Sequence, residues 1–284
     1  MSAIFILARM TFVQAIRRRI VLTGLLLGLC FLAVFTIGFH MINTSSIAAI
    51  TGTSSTGIQN IVDAERSSGL FLAGLYAVTF LAIAMAALLG ADTMAGEINS
   101  GTIQVIVTKP IRRSDVVFGK WLGFAGLLGL YLLLMEGGTV LSILVQSGYT
   151  APHLLAGLVL IYLESLLVMT VAMLFSSRFS ALATGGVVFG LYGLSFIGGW
   201  IEQIGAVLNS QTAVKVGIVT SLIIPSESLW RRAAYEMQSP LSGLLGISPF
   251  GATSVPSLFM VAYAVVYLLV VLALTVRVFL KRDL

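Results

Sequence analysis

The sequence predicts an all-α membrane protein with six transmembrane helices, and two observations carry that class. First, 58% of its 284 residues are hydrophobic and 10% are charged, whereas a soluble domain carries roughly 25% charge. Second, the apolar residues are gathered into runs near the ~20 residues that a bilayer requires. The mean hydropathy is +1.05. No soluble fold has enough interior to hide that much apolar surface, so lipid is the expected solvent, and the chain reads as a single transmembrane domain over 1–284.

The elements follow in chain order. In 1–19, Ile4, Phe5, Ala8, Phe12 and Ala15 recur at helical spacing beside Arg9 and Arg17, Arg18 and Arg19. This predicts an N-terminal interfacial helix with its apolar residues in lipid, or else an inward extension of the first span. The run after these arginines is too long for a cleaved signal segment. The six spans are expected at 20–42, 69–91, 121–145, 154–175, 181–201 and 257–278. Cys30, the single cysteine, lies in the first run and reads as a small core residue. Between spans 1 and 2, residues 43–68 are rich in Ser, Thr, Gly and Asn, the composition of a loop with little structure of its own.

Span 5 is followed by an external helical segment, 202–256. Its apolar piece 212–224 is too short to span and reads as interfacial or re-entrant. Pro225 and Ser226 then introduce a helix over 227–237, with Ser226 as its cap and i,i+4 pairs Glu227–Arg231 and Arg232–Glu236. Leu229, Trp230, Ala233 and Met237 form its apolar face, which suits a helix lying on the outer surface with Trp230 at the headgroups.

Basic residues set the orientation. An even number of spans puts both termini on one side. If that side is the cytoplasm, only Arg66, Lys215, Arg231 and Arg232 of the 16 basic residues fall outside. Both termini are therefore expected in the cytoplasm of a cell-membrane protein.

Catalytic equipment is missing from the sequence. His40 and His153 are its only histidines, and no metal-ligating spacing or nucleophile elbow accompanies them. Gly119-Lys120 lacks the leading glycine of a phosphate loop, and Trp121 follows the lysine. No catalytic residue, metal site or nucleic-acid surface is predicted. Two carboxylates do lie inside spans, Glu136 in the third and Glu164 in the fourth. A midplane charge costs about 2.5–3.5 kcal/mol on insertion scales, so each is either a functional group or a protonated carboxyl bonded between helices. Glycine pairs Gly24/Gly28, Gly119/Gly123 and Gly186/Gly190 let helices approach closely and point to a packed bundle with a self-association surface.

Charge is concentrated in one polar island, 92–120. Residues 92–100 suit a short helix along the inner surface, ended by Gly101. Lys109-Pro110 breaks the chain, and Ser114 or Asp115 can cap a helix leading through Gly119-Lys120 into span 3. In order, the island shows Gly96-Glu97, Ser100-Gly101-Thr102, Lys109-Pro110, Arg112-Arg113 and Gly119-Lys120. That ordered set resembles the cytoplasmic loop of type-2 ATP-binding-cassette exporter permeases, nearest the branch containing the nitrous-oxide-reductase maturation permeases. The match is specific over about thirty residues, and the six-span outline extends it to the whole chain.

The resemblance implies a permease domain whose cytoplasmic coupling helix, between spans 2 and 3, docks on a separate ABC ATPase subunit. Glu97, Asn99, Ser100, Gly101 and Thr102 would form or border that contact. Arg112, Arg113 and Lys120 would hold the loop against membrane lipids or the ATPase, and Arg178 would mark a second inner contact. It implies no cofactor on this chain, with ATP and magnesium in the partner subunit, and a second permease copy as homodimer partner. The expected function is export of an unknown substrate. The alternatives are a mechanical transmitter acting on an external accessory protein, or a membrane scaffold without an ATPase.

Overall fold

The computed structural model describes residues 3–50, 56–99, 112–239 and 254–281, with side chains described in 3–44, 61–93, 112–239 and 254–281. All regular structure among them is α-helical. The helices are α1 (Ala3–Ile16), α2 (Arg19–Ile50), α3 (Thr56–Asn99), α4 (Arg113–Ser147), α5 (Leu154–Ser176), α6 (Ala181–Val207), α7 (Gln211–Ile223), α8 (Ser226–Met237) and α9 (Leu258–Leu280). Six are long and apolar enough to cross a bilayer, namely α2, α3, α4, α5, α6 and α9. The chain is a multi-pass membrane protein.

α3 and α5 form the centre of the bundle. Gly90 lets them approach so closely that a Cβ there would collide with Ala172, with the Met169 carbonyl 2.7 Å away. Leu72, Leu75, Ala82, Ile83 and Ala86 of α3 are buried, as are Ile161, Leu167, Val168 and Met169 of α5. Polar side chains tie α4 to this centre: Trp121 Nε1 donates to Thr170 Oγ1 at 2.9 Å and the Tyr162 hydroxyl to the Ala125 carbonyl at 2.9 Å. α2 lies at the edge, with Leu22, Leu26, Leu27, Val34 and Ile37 exposed. Cys30 shares that exposed face and is not a core residue.

Two expectations about the loops are corrected. Residues 43–68 are not a structureless loop, because α2 continues to Ile50 and α3 begins at Thr56. The Thr44 hydroxyl bonds back into the helix, donating to the His40 carbonyl at 2.9 Å, so its polarity does not end the helix. Asn43 Nδ2 also donates to the Gln146 carbonyl at 2.9 Å, which fixes α2 beside α4. At the other end, residues 92–99 form no separate surface helix, since α3 runs through them unbroken as a 44-residue helix. Nor do Ser114 or Asp115 cap α4: the cap position is Arg112, and no side chain caps it. Asp115 instead sits in the first turn, where its charge complements the helix dipole.

Candidate functional site

At the end of the bundle that carries α1, inner in the expected orientation, the helices are clasped together. α1 lies along α4 in a groove made by glycines. A Cβ at Gly119 would lie 2.6 Å from the Leu7 Cβ, and one at Gly123 would lie 2.6 Å from the Ala8 carbonyl oxygen. The Gly119/Gly123 face is thus occupied within the chain and is not a self-association surface. Ile4, Ala8, Phe12 and Ala15 turn toward the protein, and Phe5, Ile6, Met10 and Val13 turn outward. The predicted apolar stripe on α1 is therefore mostly a packing face, Phe5 excepted.

Charged groups complete the clasp. Arg18, in the turn between α1 and α2, pairs with Asp92 of α3. Lys120 of α4 is buried and its Nζ donates to the Thr93 carbonyl at 3.3 Å. Lys120 was expected to hold the loop against lipid or a partner; it instead bonds the end of span 2 to the start of span 3. Arg112 and Arg178 are exposed, and Arg113 is half-buried. Arg178 sits in the short link whose Ser180 caps α6 by accepting from the Ala183 N–H at 3.4 Å. Glu97 and Asn99 lie on the last helical turns of α3, where only the backbone is described. Ser100, Gly101 and Thr102 lie outside the described residues, as does the chain break expected at Lys109-Pro110.

The opposite ends hold a second, more buried cluster. α6 turns back through Asn209, in the left-handed region at φ 54°, a conformation Asn tolerates better than most residues. α7 then packs along α6, where Gly198 faces Thr220 and Gly217 faces Glu202 with no room for a side chain. At Ile224–Pro225 the chain bends by 110° into α8. The pair forms a bent helical hairpin, the shape of a broken span or of a re-entrant loop.

α8 does not lie on the surface. Glu227, Leu229, Trp230, Arg231, Ala233, Ala234 and Met237 are all buried. Trp230 packs on Tyr76 of α3, ring centroids 4.8 Å apart, and Met237 fills the space above Gly157 of α5. Arg231 pairs across to Glu202 of α6, Nη1 to Oε1 at 2.7 Å and Nη2 to Oε2 at 2.9 Å. Its ion pair is with Glu202 and not with Glu227 as i,i+4 spacing suggested, although Glu227 stays within electrostatic reach of Arg231. The Ser254 hydroxyl adds a 2.7 Å bond to the same carboxylate. The other predicted pair, Arg232–Glu236, is present. Ser226 makes no cap; the cap position is Pro225.

Glu227 and Glu164 meet beneath this hairpin. Glu227 is fully buried against Gly199, and its N–H donates to Ser195 Oγ at 3.3 Å. Glu164 of α5 is fully buried, with neither carboxylate oxygen hydrogen-bonded among the described residues. Each carboxyl is within electrostatic reach of Tyr76 and Tyr192. Glu136 lies apart on α4, buried, with Oε1 lacking a partner among the described residues. Sequence reasoning found Glu164 and Glu136 and missed Glu202, Glu227 and Arg231 as a site. One signal was present: an Arg inside a segment otherwise read as membrane-associated is costly unless paired.

Among the described residues, no group of three or more His, Cys, Asp or Glu is arranged to hold a metal ion. The arrangement is two clasps at opposite ends, joined by long helices. A family model described as ABC-2 family transporter protein matches residues 6–284. The chain belongs to that family. No curated protein matches it. As a family member it is the membrane subunit of an ABC transporter, a type of permease that is typically non-catalytic and works with an ABC ATPase, commonly as a dimer.

Proposed function

We propose that this permease couples ATP hydrolysis by a separate ATPase subunit to export of a substrate across the cell membrane. In this reading both termini are cytoplasmic, and residues 97–102 with Arg112, Arg113 and Arg178 form the docking face. ATP and magnesium are held by the partner. The observation that supports it best is α3. One helix leads from the outer clasp to the polar island, so a push on its inner end reaches the outer end without a joint. A helix of 44 residues is about 66 Å long at 1.5 Å per residue, longer than the bilayer it crosses.

A second reading keeps the input and changes the output: the α7–α8 hairpin moves an external accessory protein, as in the maturation branch the island resembles. What favours it is that the hairpin is tied to spans on several sides, by Glu202 of α6 and His153 beside α5, and by Tyr263 of α9, whose hydroxyl donates to the Leu222 carbonyl at 2.6 Å. A scaffold without an ATPase is the third alternative.

Purification with the native ATPase, followed by ATPase and vesicle-transport assays on Glu97→Ala and Gly101→Pro variants, tests the proposal. We expect the ATPase to co-purify with the unmodified permease and transport to fall at least about ten-fold in the double variant. A double variant with full activity, or a permease that never retains an ATPase, sinks the coupling reading and leaves the scaffold.

A further inference from the structure

A groove of 320 Å³ runs between α2 and α3, floored by Tyr131 of α4. Its walls include Leu27 and Leu88, and Ala84 and Gly24 leave its depth open. Gly24 lets α2 approach α3 closely: a Cβ there would meet Met85 Sδ at 3.0 Å. One end carries Arg19, which is exposed. Arg17 beside it is exposed too, while Arg18 is turned to Asp92.

We propose that this groove binds one acyl chain of an anionic phospholipid, with the phosphodiester headgroup at Arg19. The dimensions agree. Arg19 to Leu27 rises about 12 Å along a helix, close to the ~15 Å half-thickness of a bilayer's hydrocarbon. Apolar walls ending in a cation match a lipid tail ending in a phosphate, and basic residues at the membrane surface attract anionic headgroups. The groove is bordered by the exposed apolar face of α2, so hydrocarbon is its natural neighbour. A second copy of the chain is the rival occupant. A two-fold contact through this groove would bring the Arg17–Arg19 segments of both copies to the same depth and close together, and that like-charge apposition opposes pairing.

Native mass spectrometry of the full chain, released from nanodiscs of phosphatidylglycerol and phosphatidylcholine, tests this. The unmodified chain is expected to retain one phosphatidylglycerol in preference to phosphatidylcholine. Ala84→Phe fills the groove and abolishes retention. Arg19→Gln weakens it about five-fold, the ratio expected for losing one basic residue at an anionic surface. Arg9→Gln, an exposed charge on α1 away from the groove, leaves it unchanged. Thr23→Phe, at an exposed position of the groove lining, replaces Ala84→Phe if that variant does not fold. Equal retention of the two lipids, unaltered retention in both groove-filling variants, or dissociation of a dimer by them without any change in bound lipid would each overturn the proposal.

Discussion

The two clasps use the same chemistry in different surroundings. At the inner end Arg18 pairs with Asp92, with side chains 26% and 34% exposed. At the outer end Arg231 pairs with Glu202, with side chains 2% and 7% exposed. Water can solvate either inner partner if the other is lost, and an exposed pair is worth about 0–1 kcal/mol. The outer partners have no such refuge. Losing one leaves a buried charge without its ion-pair partner, which costs about 3–5 kcal/mol. Loss of the Arg18–Asp92 pair by itself should therefore cost little. The Arg231–Glu202 pair holds α8 against α6.

The largest expected effect is at the outer pair. Arg231→Ala should lower stability by about 3–5 kcal/mol, read as a fall in thermal midpoint or folded yield in detergent. A joint Glu202→Leu, Arg231→Met change should recover most of the loss, because it removes both charges. A double variant no better than the single would mean that the pair is not the reason for the loss. Next comes the α1–α4 groove. Gly123→Leu should overpack the contact with Ala8 and Thr11 and cost about 1–3 kcal/mol, with α1 becoming accessible to proteolysis while the spans stay folded.

Glu164 separates stability from function. Glu164→Gln should change stability by less than about 1.5 kcal/mol, as expected for a near-isosteric change, because no hydrogen bond to either oxygen is lost. If the buried carboxyl takes part in the transport cycle, coupled transport falls while folding is kept. Unchanged transport in both Glu164→Gln and Glu136→Gln would assign these groups to packing alone. The smallest effect belongs to the inner pair: Arg18→Ala should cost at most about 1 kcal/mol, and less in high salt. A loss as large as that of Arg231→Ala would erase the contrast between the two ends.

Span positions were legible in the sequence because about twenty consecutive apolar residues have few other uses. Helix ends were less legible. Asn43–Ser45 and Asp92–Asn99 are polar, yet they prolong α2 and α3, since hydroxyl back-bonding and the momentum of a formed helix outweigh local propensity. The glycine pairs announced close approach but not the neighbour. Gly119/Gly123 receives α1, Gly24 faces Met85, and Gly186 and Gly190 meet nothing within 4 Å. Of the named pairs, only the last leaves a small face open for the second copy that the family commonly uses. On α8, i,i+4 spacing gave Arg232–Glu236 correctly and gave Arg231 the wrong partner. Glu202 lies 29 residues away in the chain, and no local rule reaches that far.

Composition and hydropathy alone determined that the chain lives in lipid, that it is helical, and that charge is gathered at one loop. Those properties follow from transfer free energies summed over short windows, which depend only on neighbours in sequence. Tertiary structure decided which charges are buried and which helix each glycine admits. It also decided that α8 is packed inside the bundle rather than resting on it, while α7 keeps an exposed apolar face. These depend on pairs distant in sequence, such as Glu202 with Arg231 and Gly123 with Ala8. Their energies come from desolvation and close contact, which exist only once the helices have met.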